Sequence, residues 1–239
     1  MKKLLIICFI ANILFGCGVV DISSLPVGNS TPTKPQLTND EVIKGLKEAL
    51  TVGIKHSVDS SSVVDGFLKN PAIRLPFPPD AIKVKEKAIS LGMQGQVDKF
   101  ETTLNRAAEE AVKEALPIFK NAIINMSIQD GFAILKGGNG AATKFLKDKT
   151  SDSLAVAFLP KVKNATSNVQ LTSYWNPIIT KYNAIVLTGG EKINPDLDAY
   201  VTQLAIQGLF KLVEKEENKI RKDPGARVTD ILMKVFSSI

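Results

Sequence analysis

VDKFETTLNRAAEEAVKEALPIFKNAIINM, residues 97–126, decides how the rest of the chain is read. Val97, Phe100, Leu104, Ala107, Ala111, Ala115, Phe119, Ala122 and Met126 recur at steps of three and four, the period that stacks side chains on one face of a helix. Asp98, Glu101, Arg106, Glu109, Glu110 and Lys113 take the other side. The spacing predicts a long amphipathic helix with an alanine-rich inner stripe, which lets a neighbouring helix approach closely. Pro117 lies inside it, lacks an N–H and clashes with the preceding turn, so the helix is expected to kink or divide there.

The same period runs outward in both directions. Thr38-Asn39-Asp40-Glu41 is a capping-box pattern opening a helix with Val42, Ile43, Leu46, Ala49, Leu50 and Ile54 on one side. A short turn of helix is expected at 63–69, then an extended connector through the four prolines of NPAIRLPFPPD. Its RLPFPP could also serve as a polyproline-type recognition segment, although a connector is the simpler reading. Helix resumes over 81–93, with Gly92 and Gly95 marking its end. Toward the C-terminus, Pro160 is expected to act on a later helix as Pro117 does on this one. Leu197, Val201, Leu204, Gly208, Leu209 and Leu212 form another inner face, running out into EKEENKIRK. Asp223-Pro224 is a helix opening, and Val228, Ile231, Leu232, Val235 and Phe236 follow at helical spacing. The best strand candidate, 184–187, is short. The fold class expected is all-α: a single multi-helix domain over 38–239, with long amphipathic helices kinked at internal prolines.

Two segments precede that domain. Lys2, Lys3 and the apolar run from Leu4 to Phe15 read as a signal peptide, too short to remain as a membrane span. The run ends in Leu14-Phe15-Gly16-Cys17, which resembles a bacterial lipobox, so residues 1–16 are expected to be removed and Cys17 acylated. Residues 17–37 then form a tether rich in Pro, Gly, Ser and Thr, with an extended reach on the order of 65 Å. Cys8 leaves with the signal, so the domain has no disulfide and no cysteine metal site. The formal net charge of +6 falls when Lys2 and Lys3 are removed, and the remaining Lys and Glu are interspersed. That pattern makes no case for nucleic acid.

ILKGGNGAATKFLK, residues 134–147, invites comparison with a phosphate-binding loop. Such a loop follows a strand and presents Gly-Lys-Ser/Thr at a helix start. Here the glycines follow a helix opened by the capping arrangement Ser127-Ile128-Gln129-Asp130, Thr143-Lys144 is in the wrong order, and no glycine precedes the lysine. A helix junction accounts for it: Gly137 or Gly138 as left-handed cap, Asn139 capping the next helix, and small residues at 140–142 for close packing. His56 is the only histidine, stands at an expected helix end, and lacks the Glu-x-x-His partner of di-iron bundles. The carboxylate groups Glu109-Glu110-Glu114 and Glu214-Glu216-Glu217 read as solvated helix faces, with Glu217 and Arg221 an i, i+4 pair. Tyr174, Trp175 and Tyr182 are candidates for a ligand-contacting edge.

LNRAAEEAVKEALPIFKNAI, MSIQDGFAILKGGNGAATKFLK and EENKIRKDPGARVTDILMKVF together resemble the signature blocks of an exported bacterial family known as domain of unknown function 4197. The resemblance spans most of 38–239. It implies a helical envelope protein and brings no activity, cofactor or catalytic residue with it. The blocks gather polar residues at helix junctions: Asn121, Asn125, Asp130, Asn139 and Thr143 at two, Arg221, Arg227 and Asp230 at the last. They are either caps or the walls of one polar pocket.

The chain is therefore expected to be a lipid-anchored envelope protein, on the outer membrane and facing the periplasm. It is expected to be a non-enzymatic binding or scaffold module for an envelope protein, peptide or amphipathic ligand. No acidic run follows Cys17 to argue for surface export. No catalytic residue, metal site or cofactor is expected. The competing readings are a hydrolase-type envelope enzyme using Asp, Glu, Lys or Tyr groups, and a carrier of apolar lipid ligands. The ligand-binding expectations rest on Asn125, Asp130, Asn139, Thr143, Tyr174, Trp175, Arg221 and Arg227.

Overall fold

The structure, a computed structural model, describes residues 38–167 and 196–227, with positions 180, 184, 233 and 234. The described residues contain helices and turns and no strand. In chain order the helices are α1 (Asn39–Ser61), α2 (Ile82–Ser90), α3 (Gln94–Val112), α4 (Ala115–Ile124), α5 (Ile128–Lys136), α6 (Ala141–Ser167) and α7 (Leu197–Lys222). Of the strand candidate only Ala184 is described, and it is helical.

Local chemistry starts and stops these elements as their sequences dictate. Thr38 caps α1 through Oγ1, which accepts from the Glu41 N–H, while the Glu41 carboxylate accepts from the Thr38 N–H at 2.8 Å. Ser127 and Asp130 build the same reciprocal box at the start of α5. Gly92 and Gly138 take positive φ, at 77° and 74°, where α2 and α5 end. The long run of 97–126 divides at residues 113–114, so that Pro117 falls in the first turn of α4, where its missing N–H costs nothing.

Several expectations need correction. Gly95 lies inside α3 instead of closing α2. Residues 63–69 form hydrogen-bonded turns, not helix, because Asp65 adopts φ 71°. Pro160 leaves α6 undivided. Helix α7 runs through the charged segment to Lys222, and the expected opening at Asp223-Pro224 is present as the 3-10 turn Pro224–Ala226, whose Gly225 N–H is held by the Asp223 side chain at 2.8 Å. Residues 1–37, the aromatic edge at Tyr174, Trp175 and Tyr182, and the apolar positions from Val228 onward named above lie outside the described residues.

Helices α6 and α7 pack on one another and on α3, α1 lies along α7, and α4 and α5 close the bundle against α1 and α6. Phe67, Phe119, Phe158, Leu46, Leu104, Leu146, Leu154 and Leu209 fill the interior. Ala107, Ala108, Ala111 and Ala115 are fully buried, which is the close-approach stripe that the spacing predicts.

The outer side of α3 is not the solvated face expected. Glu101, Asn105 and Glu109, one turn apart, are buried against the segment 65–77. That segment pairs part of its own backbone in turns, and α3 supplies partners for the N–H groups of Phe67, Leu68 and Leu75. Asn105 accepts from the Leu75 N–H at 2.8 Å and donates to the Leu75 carbonyl at 3.0 Å. Glu109 Oε1 accepts from the Phe67 N–H at 3.0 Å, and Glu101 binds Arg74 and Lys85 at 2.8 and 2.5 Å. Ile73, Leu75 and Phe77 thereby enter the core.

Candidate functional site

The described polar residues at the helix junctions fall into two separate places; Asp230 lies outside the described residues. The first is the α5–α6 junction. Helix α6 exposes N–H groups at its start, and the sequence offers Asn139 as their cap. Asn139 is instead exposed, and the cap comes from α7: Glu217 Oε1 accepts from the Ala142 N–H at 3.0 Å, while Oε2 accepts from the Thr143 N–H and hydroxyl at 2.9 and 2.8 Å. Arg221 binds Glu217 at 3.0 Å and donates to the Ile134 carbonyl of α5 at 2.8 Å. Each charge thus meets the helix end of opposite sign. Glu217 is buried, not solvated, and the anion position that resembled a phosphate loop is filled by the protein's own carboxylate. Arg227 closes the far end of α7 through the Ile220 and Arg221 carbonyls, at 3.1 and 2.9 Å. Thr143, Arg221 and Arg227 are thereby engaged in holding helix ends together.

The second place is a cleft of about 340 Å³ between α4, the start of α5, and α6. Asn121, Asn125, Asp130, Lys149 and Ser153 supply its polar groups, and Ile118, Ala122 and Phe145 its apolar wall. The Thr150 hydroxyl at its edge is spent on the Leu146 carbonyl at 2.6 Å. Asn125 Nδ2 donates to the Asn121 backbone and side-chain oxygens, both at 3.0 Å. This leaves the Asn121 Nδ2 and the Asn125 Oδ1, one donor and one acceptor, without an intramolecular bond among the described residues. Hydrogen bonds from the Ser127 hydroxyl and N–H, with the charge of Lys149 behind them, hold the Asp130 carboxyl below its ordinary value, so the cleft has an anionic and a cationic wall.

The family model described as "Protein of unknown function (DUF4197)" matches residues 36–237. The chain belongs to this family. No curated protein and no solved structure matches it. In this DUF4197 chain the match takes in both junctions and all of the cleft.

The remaining sequence candidates are dispersed. His56 lies within α1, five residues before its end, with Nδ1 3.6 Å from Glu216 of α7. That corrects the expectation of a histidine at the helix terminus. Among the described residues, no group of three or more His, Cys, Asp or Glu side chains is placed to hold a metal ion. Sequence reasoning did not single out Lys149 and Ser153; both lie on α6, and only the packing of α6 on α4 carries them to Asn121. The stripe Glu101, Asn105 and Glu109 was also missed as a unit. Its spacing of four beside a proline-rich segment needing backbone partners was the available signal.

Proposed function

We propose that this chain is a lipid-anchored envelope protein whose cleft between α4, α5 and α6 binds an extended peptide segment. The lipobox-like Leu14-Phe15-Gly16-Cys17 supports acylation at Cys17, and the Pro- and Gly-rich residues 18–37 support a flexible tether between that anchor and the domain. Outer-membrane attachment facing the periplasm is the location that fits this anchor.

The observation that carries the binding reading is the Asn121–Asn125 pair. The Asn121 Nδ2 amino group and the Asn125 Oδ1 offer donor and acceptor groups of the kind a peptide unit pairs with, beside an apolar wall for a side chain and opposite charges on Asp130 and Lys149. The module is non-enzymatic in this reading: the cleft offers hydrogen bonds and charge, and its one carboxylate is occupied with capping α5. The apolar depression between α1, α6 and α7 has a volume of about 20 Å³, which does not favour the lipid carrier.

A photoreactive amino acid at position 153, at the rim of the cleft and outside the Asn121–Asn125 pair, and as control at the exposed Val156, tests the assignment in the native envelope. Peptide or protein adducts at position 153 and none at 156 are expected. Lipid adducts at 153, or equal labelling at both positions, would contradict peptide binding in the cleft.

A further inference from the structure

Helix α2 stands apart from the other helices α1–α7, because none of its residues is fully buried. Val84 and Ala88 rest on the core from one side. On the other, Ile82 and Ile89 are 39 % and 37 % exposed, followed by Leu91 at 66 % and Met93 at 41 % in the turn that Gly92 makes at φ 77°. Four of the large exposed apolar side chains of the described residues therefore fall within one short segment. Exposed Lys83 and Lys87 flank them, and Lys85 is tied to Glu101 with its ammonium 5.6 Å from the centre of the Phe77 ring. Over residues 82–99 there are four lysines against Glu86 and Asp98.

We infer that α2 and the turn after it dock on an anionic lipid surface. Apolar side chains beside lysines on a short exposed helix suit the membrane interface, where the former enter the acyl boundary and the latter meet lipid phosphates. The patch is too small for a protein partner on its own. A nine-residue helix is only about 13 Å long, whereas a stable interface takes about 800 Å² from each partner. Nine residues are too few to cross a bilayer, so this contact would lie on its surface. The inference rests on the envelope location proposed above, and adds which side of the domain meets the bilayer.

The test uses the full chain with a coumarin amino acid at position 91, or at position 156 as control, on phosphatidylethanolamine–phosphatidylglycerol vesicles with brominated acyl chains. Quenching at 91 and none at 156 is expected. Lys83→Gln and Lys87→Gln should each weaken that quenching by roughly fivefold, as should removal of the phosphatidylglycerol. Chain that floats with the vesicles while position 91 stays unquenched would overturn the α2 contact and leave the anchor standing. Quenching at 91 that appears only at high lipid concentration, and is lost in high salt along with flotation, would support the contact and remove the anchor.

Discussion

Glu217, like Glu109, is a carboxylate buried against backbone N–H groups and an arginine. Its side chain is 6 % exposed, that of Arg221 is 12 % exposed, and between them they serve the start of α6 and the end of α5. Removing one partner of a buried pair leaves the other charge and the N–H groups without compensation. Glu217→Ala is expected to lower unfolding free energy by about 3–5 kcal/mol, read by denaturant titration. A loss below about 1 kcal/mol, the level of a surface pair, would refute the buried network. Asp65, Asp130 and Glu41 act more gently. Hydrogen bonds from Lys69 and then Arg106 lower Asp65, those from Ser127 lower Asp130, and those from Thr38 lower Glu41, against ordinary values of 3.8, 3.8 and 4.5. A carboxyl depressed in the folded state adds stability that is complete above its ordinary value and is lost as pH falls through the folded one. Melting temperature should therefore drop as pH descends through the acid range, and less steeply for Asp130→Asn. An identical slope for that variant would contradict the assignment.

What could be read from the sequence divides by distance along the chain. The capping boxes at Thr38–Glu41 and Ser127–Asp130 span three residues, so their geometry follows from spacing alone. The alanine stripe of α3 and the division before Pro117 are also local consequences of period and of a missing donor. Glu217 was legible as the partner of Arg221 but not as the cap of α6, because Ala142 and Thr143 lie 75 and 74 residues away. Glu101 and Glu109 read as solvent-facing for the same reason: a charged residue at an outer helical position is buried only if a distant segment needs it. The cleft was half legible, since Asn121, Asn125 and Asp130 were visible as a group, while Lys149 and Ser153 arrive by tertiary packing. Helix packing itself makes a testable distinction between two glycines. A Cβ on Gly208 of α7 would stand 2.9 Å from the Phe67 ring and 3.2 Å from the Ile73 Cβ, both fixed in the core. One on Gly131 of α5 would meet chiefly the terminal methyl of Ile43, which can rotate away. Gly208→Ala should cost about 1–3 kcal/mol and Gly131→Ala less, and the reverse order in thermal melts would contradict this packing.

At the scale of the whole molecule, the chain is a helical protein of the DUF4197 family, and the segment before the domain is proposed to be a lipoprotein leader and tether. In the proposed account that segment fixes the domain to a membrane, α2 faces the bilayer, and the cleft between α4, α5 and α6 receives a peptide. Cys17→Ser should move the protein from the membrane fraction to the soluble fraction, and an unchanged distribution would remove the anchor. The claim on which the account depends is that the cleft is occupied. Native mass spectrometry of the protein purified from its own envelope tests this most directly, comparing wild type with the pair Asn121→Ala and Lys149→Gln, which leaves the hydrogen bonds of both capping boxes and the core in place. The account predicts a reproducible added mass of peptide composition on the wild type, absent from the variant at an unchanged melting temperature. An apo mass for both proteins, or the same added mass on both, would contradict it.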